Sequence, residues 1–259
     1  MFSKFIKKSV LPALAAAALV GLLSATSYAE GGGEKSAVMT KEQVEQIVHD
    51  YIVKNPMFIL EAVDNYQKTT MQARQETTLK ENRSMIFEDQ GSPFIGNEKG
   101  DVTVVEFFDY NCGYCKKTFP GLKKLVDEDK NVKVIFKDFP ILGPSSETAA
   151  KWALAADRQK KYFDFHIKLM EHKGPIDDAL LESISKDIGM DANLAKTDTT
   201  ASDVLLQIEK NRTLANNLGI TGTPAFVVGD KVVPGYVDAD RLKEIVAEQR
   251  GNKKDDKKQ

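Results

Sequence analysis

Cysteine is almost absent from this chain: two of 259 residues, Cys112 and Cys115, both inside Glu-Phe-Phe-Asp-Tyr-Asn-Cys-Gly-Tyr-Cys at positions 106–115. A bridge between them closes so short a loop that it removes little entropy from the unfolded chain, which excludes stability as its main purpose. Histidine is scarce as well. His49, His166 and His172 lie far from the pair and lack paired ligand spacing, so a four-ligand zinc site has poor support, although it stays open alongside a merely decorative bridge. An excess of basic charge is also missing: 36 Lys and Arg face 38 Asp and Glu, which argues against a nucleic-acid footprint.

Long apolar runs are limited to one. Lys4, Lys7 and Lys8 precede an uncharged stretch from Val10 to Leu23, short of the roughly 20 residues that span a bilayer, and Ser27-Tyr28-Ala29 puts small residues where a signal peptidase reads. The expectation is a signal peptide over residues 1–29, cleaved after Ala29, with an uncleaved anchor as the alternative. The mature chain then belongs in the periplasm, where disulfides form and persist. Cleavage removes three lysines and no acid, leaving 33 basic and 38 acidic side chains, a formal charge of −5. A mature chain of this length buries a core without disulfides, so its cysteines are free for chemistry.

Glycine is missing from Thr40 to Glu88, and Pro56 is the only proline there. After a flexible leader over 30–39 with Gly31-Gly32-Gly33, Thr40 and Gln43 form a capping box that starts a helix. Val44, Ile47, Val48 and Tyr51 fall at helical spacing, as do Ile59, Ala62, Val63 and Tyr66 after a break at Asn55-Pro56. Two amphipathic helices are expected in an arm over 40–88. Their stripe packs either on the protein's own body or, as the sharper reading, against the same arm of another subunit, giving a homodimer or homotrimer through residues 40–81. The stripe is no sustained heptad, so a simple long coiled coil is not expected.

From Asp101 the pattern changes. Val102 to Phe108 is apolar on both faces like a central strand, Cys112 follows at a turn, and Cys115 to about Asp129 reads as a helix containing Pro120. Val132 to Phe136 reads as a strand. Gly143-Pro144 opens a helical insert over about 144–218, with helices at Ala149 to Ala156, Tyr162 to Met170, Asp177 to Ile188 and Ser202 to Leu218. Ala225 to Val228 and Lys231 to Val233 form a hairpin about Gly229-Asp230, a helix closes at Ala239 to Gln249, and residues 251–259 read as a disordered, solvated tail. The fold class is α/β.

The strand ending in Glu106-Phe107-Phe108, Cys112-Gly113-Tyr114-Cys115, the inserted helices and Gly222-Thr223-Pro224-Ala225-Phe226 together resemble the DsbA family of thioredoxin-fold thiol-disulfide oxidoreductases over roughly residues 90–250. Phe108-Asp109-Tyr110-Asn111 and the preceding arm are most similar to the ScsC-like and Com-like subgroup, some of whose members oligomerise through that arm. Gly113-Tyr114 departs from the Pro-His dipeptide of the best-known oxidases, which puts strong oxidising power in question.

The resemblance implies a thioredoxin fold with an inserted helical domain, and catalysis by Cys112 and Cys115 without a cofactor or metal. Cys112, at a helix N-terminus, becomes a thiolate that attacks or leaves; Cys115, one turn on, resolves the mixed disulfide. Thr223-Pro224 matches the family's cis-proline loop beside the cysteines. Glu106 matches a buried acid that holds the proton of Cys115, its alternative being a half-exposed edge-strand residue. Tyr114 shapes the rim or is a plain exposed aromatic. The implied function is disulfide oxidation or isomerisation of unfolded or misfolded secreted proteins, with a membrane redox partner of unknown type. The contrasting reading is a non-enzymatic extracytoplasmic protein that captures Cu(I) or a surface partner.

Overall fold

In a computed structural model, residues 39–256 are described; the expected signal peptide, the leader up to residue 38 and residues 257–259 lie outside them. The first helix, α1 (Lys41–Lys54), begins with the expected capping box: Gln43 N–H donates to Thr40 Oγ1 at 3.3 Å and Thr40 N–H to Gln43 Oε1 at 2.9 Å. No side chain of α1 is buried, and Val44, Ile47, Val48 and Tyr51 all stand exposed. After the break at Asn55-Pro56, α2 (Met57–Glu81) exposes Ile59, Val63 and Tyr66 in its first half.

Further along, α2 changes character. Leu79 and, on the short α3 (Arg83–Phe87), Ile86 are buried in one cluster with Val105, Phe107, Ile135 and Leu214. Each such burial stabilises by about 1.5–3 kcal/mol. The expected boundary near residues 88–90 is therefore no break in packing.

A second tie reinforces it. Lys137 is buried, and its Nζ donates to the Met85 carbonyl at 2.8 Å and to Asp89 Oδ2 at 2.7 Å, while Gln207 Nε2 donates to the same oxygen at 2.7 Å. Burial works against the Asp89 carboxylate, but the Lys137 ammonium, Gln207 and Ser92 outweigh it and hold Asp89 at about 2.

The sheet has the order β1-β3-β2-β4-β5. Its centre is β2 (Val102–Phe108), paired in parallel with β3 (Val132–Asp138) and antiparallel with β4 (Ala225–Val228). Parallel neighbours need a crossover, and α4 (Gly113–Glu128) supplies it. The edges are β1 (Phe94–Gly96), antiparallel to β3, and β5 (Lys231–Pro234), antiparallel to β4. Side chains alternate across β2: Val104 and Phe108 join the core containing both cysteines, whereas Val105 and Phe107 join the core containing Leu79 and Ile86. The continuous apolar run of β2 is the signature of a strand covered on both faces.

Between β3 and β4 the chain inserts α5 (Pro144–Arg158), α6 (Tyr162–Glu171), α7 (Asp178–Asp187), α8 (Ala192–Asp198) and α9 (Ser202–Asn217), and α10 (Ala239–Asp256) closes the fold. This is the expected thioredoxin arrangement with a helical insert, preceded by an α-helical region. Two short elements were not read from the sequence, and one reading needs correction. Strand β1 is too short to display a period of two, and α8 is short and started by Asp191, whose Oδ1 accepts from Asn193 and Leu194 N–H at 2.9 and 3.0 Å. Helix α10 continues to Asp256, where a disordered tail was expected from residue 251. Once a packed helix exists, each added residue gains a hydrogen bond without the nucleation cost.

Candidate active site

The site is built at the C-terminal end of β2. Beyond Phe108, the buried Asp109 organises the turn: Oδ1 accepts from Asn111 N–H at 2.7 Å, and Oδ2 accepts from Ile141 and Leu142 N–H at 2.8 and 2.9 Å. The Asp109 carbonyl accepts from Cys112 N–H at 3.0 Å, and Asn111 Nδ2 donates to Ser145 and Ser146 Oγ at 2.9 and 2.8 Å. This web stitches the cysteine turn to the start of α5 and fixes where α4 begins.

Cys112 is the N-cap of α4, and its Sγ accepts from Cys115 N–H at 3.3 Å. A backbone N–H with no acceptor inside the helix, and the positive end of the helix dipole, thus face this sulfur. Both cysteines are free thiols. Cys112 is 6% exposed and Cys115 fully buried, so access to the first sulfur is narrow and to the second closed. Hydrogen bonding with Cys115 first, against the opposing effect of burial, and then with Thr223 and the N–H groups of Cys115 and Tyr114, brings Cys112 down from 9.0 to about 6. Burial drives Cys115 far upward, with Cys112 and Glu106 adding to it. Two thiols one helical turn apart are thus made chemically unequal.

Thr223 and Pro224 arrive from the far end of the chain, and the bond between them is cis. The Cys112 thiol donates to the Thr223 carbonyl at 3.3 Å, while the Pro224 carbonyl is engaged by Gly235 N–H at 2.8 Å.

Glu106 is fully buried on the central strand, which removes the edge-strand reading. By alternation it shares the sheet face of Val104 and Phe108, the one toward the cysteines. Burial, then the charge on Cys112, raises its carboxyl to about 8, and among the described residues neither oxygen has a hydrogen-bond partner. A carboxyl pushed up toward neutrality can hold a proton or accept one beside the cysteines.

Gly113 is open: a side chain placed there meets nothing within 4 Å. Tyr114 is 63% exposed, with its ring 6.3 Å from that of Tyr236, over which Lys117 Nζ sits at 4.4 Å. These side chains form an aromatic and cationic rim.

The zinc alternative finds no site. Among the described residues no group of three or more His, Cys, Asp or Glu is placed to hold a metal. His166 is buried, its Nδ1 2.9 Å from the Tyr110 hydroxyl, and burial lowers it to about 3. Sequence reasoning gave no role to Asp109, Tyr110, Tyr162 or Asp138 and weighed His166 only as a zinc ligand; in this buried set Tyr162 OH donates to Asp138 Oδ2 at 3.2 Å. Asp138 carried a signal, being the one acid at the end of an apolar strand. Asp109 carried one in its place three residues before Cys112, the spacing of a side chain that folds back on a turn.

The family described as DSBA-like thioredoxin domain matches residues 103–247, and the copper resistance protein ScsC N-terminal domain matches residues 41–73. Disulfide bond formation protein D of Bacillus subtilis is 33% identical over 177 residues, which cover 61% of this chain and 76% of that protein. A thioredoxin-like oxidoreductase from Silicibacter pomeroyi superposes with a TM-score of 0.64 at 42% identity, covering 66% of this chain and 98% of its own. A linker-deletion mutant of Proteus mirabilis ScsC superposes with a TM-score of 0.65 at 34% identity, covering 84% of this chain and all of its own. With a thioredoxin sheet, an inserted helical block, two unequal thiols at a helix start and these relatives, this chain belongs to the DSBA-like thioredoxin family as a disulfide oxidoreductase of the ScsC-like subgroup.

Proposed function

We propose that the protein exchanges disulfides with unfolded or misfolded secreted proteins in the periplasm, with Cys112 as the attacking sulfur and Cys115 as the resolving one. The observation that carries this is the inequality of the two thiols: Cys112 at about 6 on a helix N-terminus and Cys115 buried and pushed far up. In the reduced protein the Cys112 thiolate attacks a substrate disulfide, forming a mixed disulfide and releasing one substrate thiolate. Cys115 then gives up its proton and attacks Cys112 Sγ, closing the Cys112–Cys115 bridge and releasing the second substrate thiolate. The substrate is reduced and the protein oxidised by two electrons; run backwards, the same steps oxidise a substrate dithiol. In the mixed disulfide Cys112 carries no charge to hold the Glu106 carboxyl up, so Glu106, on the cysteine face of β2, is the group to receive the Cys115 proton there and return it in the reverse step. A membrane redox partner resets the pair for net oxidation or reduction.

The N-terminal sequence supports export, by the features read at Lys4 to Ala29. Among the described residues no helix is long and apolar enough to cross a membrane. The exposed Val44, Ile47, Val48 and Tyr51 of α1, and the exposed Ile59, Val63 and Tyr66 of α2, support a homodimer or homotrimer through residues 40–81. Subunits held apart around a common space favour isomerisation, because a wrong disulfide can be attacked by one Cys112 and released before Cys115 resolves it.

Refolding of scrambled RNase and reduction of insulin by the same preparation test this. Activity in both, lost in Cys112→Ala, is expected. Tight Cu(I) binding with neither activity would move the protein to the class of metal-capturing proteins.

A further inference from the structure

Thr223 belongs to two features at once. Its carbonyl touches Cys112 Sγ, and it lines a cleft of about 780 Å³. One wall of that cleft is the second half of α2, with Met71, Arg74 and Gln75; the other is the loop from Asn216 to Ala225 with the end of β5. The helix read as an oligomerisation arm therefore borders a space that shares Thr223 with the reactive sulfur.

Three properties describe what the cleft fits. Its loop wall exposes backbone at three glycines: side-chain carbons added at Gly219, Gly222 or Gly235 meet nothing within 4 Å. Gly219 and Gly235 have left-handed φ values of 69° and 83° that favour glycine anyway, but Gly222 has no such need, so its missing side chain simply leaves the space open. Backbone left open at these glycines, on a loop that reaches the sulfur at Thr223, admits an extended polypeptide more readily than a compact ligand. Its helix wall presents Met71, largely exposed, a side chain that adapts to varied apolar neighbours. Arg74 is the only charged residue in the lining, and its guanidinium makes no ion pair or hydrogen bond with any described residue.

We propose that this cleft receives the polypeptide on one side of the substrate's reactive cysteine, and that Arg74 pairs there with an acidic side chain. The proposal rests on the reading that Cys112 exchanges disulfides with polypeptides, and it gives α2 a second role in choosing them. The occupant follows from Thr223, which lines the cleft and contacts the reacting sulfur, and from charge: the one unpaired cation in an otherwise uncharged cleft calls for an anion.

The test uses the full mature chain carrying Cys115→Ala, so that exchange stops at the mixed disulfide. Disulfide-linked dimers of a short cysteine peptide are supplied with aspartate, alanine or lysine at the residues flanking the cysteine. Cys112 attacks one peptide sulfur, the peptide–peptide bond breaks, one peptide leaves as its thiolate and the other stays on Cys112, where mass spectrometry counts it. The aspartate dimer should react roughly two- to fivefold faster than the lysine dimer, the range of an exposed ion pair. Arg74→Glu should reverse that order, and Arg74→Lys should keep it. An unchanged order in Arg74→Glu overturns the proposal while leaving the exchange chemistry intact. Absence of any adduct, whatever the peptide charge, instead overturns the exchange reading beneath it. Sedimentation of Arg74→Glu provides the remaining check: a changed subunit number makes a second copy of this chain the occupant and refutes the substrate role.

Discussion

The Thr223 carbonyl lies 3.3 Å from Cys112 Sγ although 111 residues separate them in the chain. That contact joins the two parts of the site: the helix start that makes a thiolate, and the loop that meets whatever the thiolate attacks. It also sets how the sulfur is reached, since Cys112 is covered except for a narrow opening.

Reduced protein should be alkylated at Cys112 with a pH midpoint near 6, well below the 9.0 of an unperturbed thiol. Cys115 should stay unlabelled until the fold opens, because it is buried and pushed far upward. Peptide mapping after iodoacetamide pulses from pH 4 to 9 reads both. Equal labelling of the two cysteines would contradict the assignment.

Glu106 makes stability depend on pH. Burial, and then the Cys112 charge, places its folded value at about 8, above the ordinary 4.5, so the stability it gives is complete below the unfolded value and is lost as pH rises toward 8. Asp138, raised from 3.8 to about 8 mainly by burial, acts in the same direction. Cys112 acts oppositely and only when reduced: its thiolate contributes stability present above 9.0 and lost as pH falls through about 6. Buried His166, lowered to about 3, opposes Glu106 and Asp138 up to its ordinary 6.5, so oxidised protein should weaken mainly above pH 6.5 in urea denaturation, whereas reduced protein should weaken less over the same range. Glu106→Gln should shallow the oxidised slope without abolishing it, since Asp138 remains.

The buried Lys137–Asp89 pair predicts an asymmetric pair of variants. Asp89→Ala leaves an ammonium buried against the Met85 carbonyl and should cost about 3–5 kcal/mol. Adding Lys137→Met should recover most of that loss, because a similar volume then fills the site without charge. Urea midpoints of the single and double variants measure it, and equal losses in both would show the pair is not the source.

Much of this was legible in the sequence, and the failures have physical causes. Val102 to Phe108 revealed a central strand because a strand covered on both faces has no polar alternation to hide it. The capping box at Thr40 and the break at Asn55-Pro56 were equally plain, since both are local. The membership of Leu79 and Ile86 in the core was not local. They sit in polar sequence, and only the return of β2 and α9 beside them shows that the helical region and the domain share packing. Arg74 was invisible for the same reason, because its meaning depends on a loop nearly 150 residues later. Cys112, Cys115, Thr223 and Pro224 were readable as motifs, whereas the buried Tyr110–His166 and Tyr162–Asp138 contacts have no sequence pattern.

Truncation follows from that packing. Removing residues 30–57 should leave a folded, redox-active domain with a smaller subunit number that reduces insulin but reshuffles scrambled RNase poorly. Removing residues 30–88 should instead strip Leu79 and Ile86 from the core and the Met85 carbonyl from Lys137, and give a far less stable protein. Sedimentation and thermal melting separate the two. An unchanged subunit number after the shorter cut would refute oligomerisation through α1.

The central claim is that one sulfur attacks and the other resolves, and trapping the covalent intermediate tests it most directly. Scrambled RNase is mixed with the Cys115→Ala and Cys112→Ala proteins, quenched with acid and analysed by non-reducing mass mapping. The account predicts a persistent mixed disulfide between RNase and Cys112 in the first protein and none in the second. A mixed disulfide at Cys115 in the second protein, formed as fast as the one at Cys112 in the first, would contradict it.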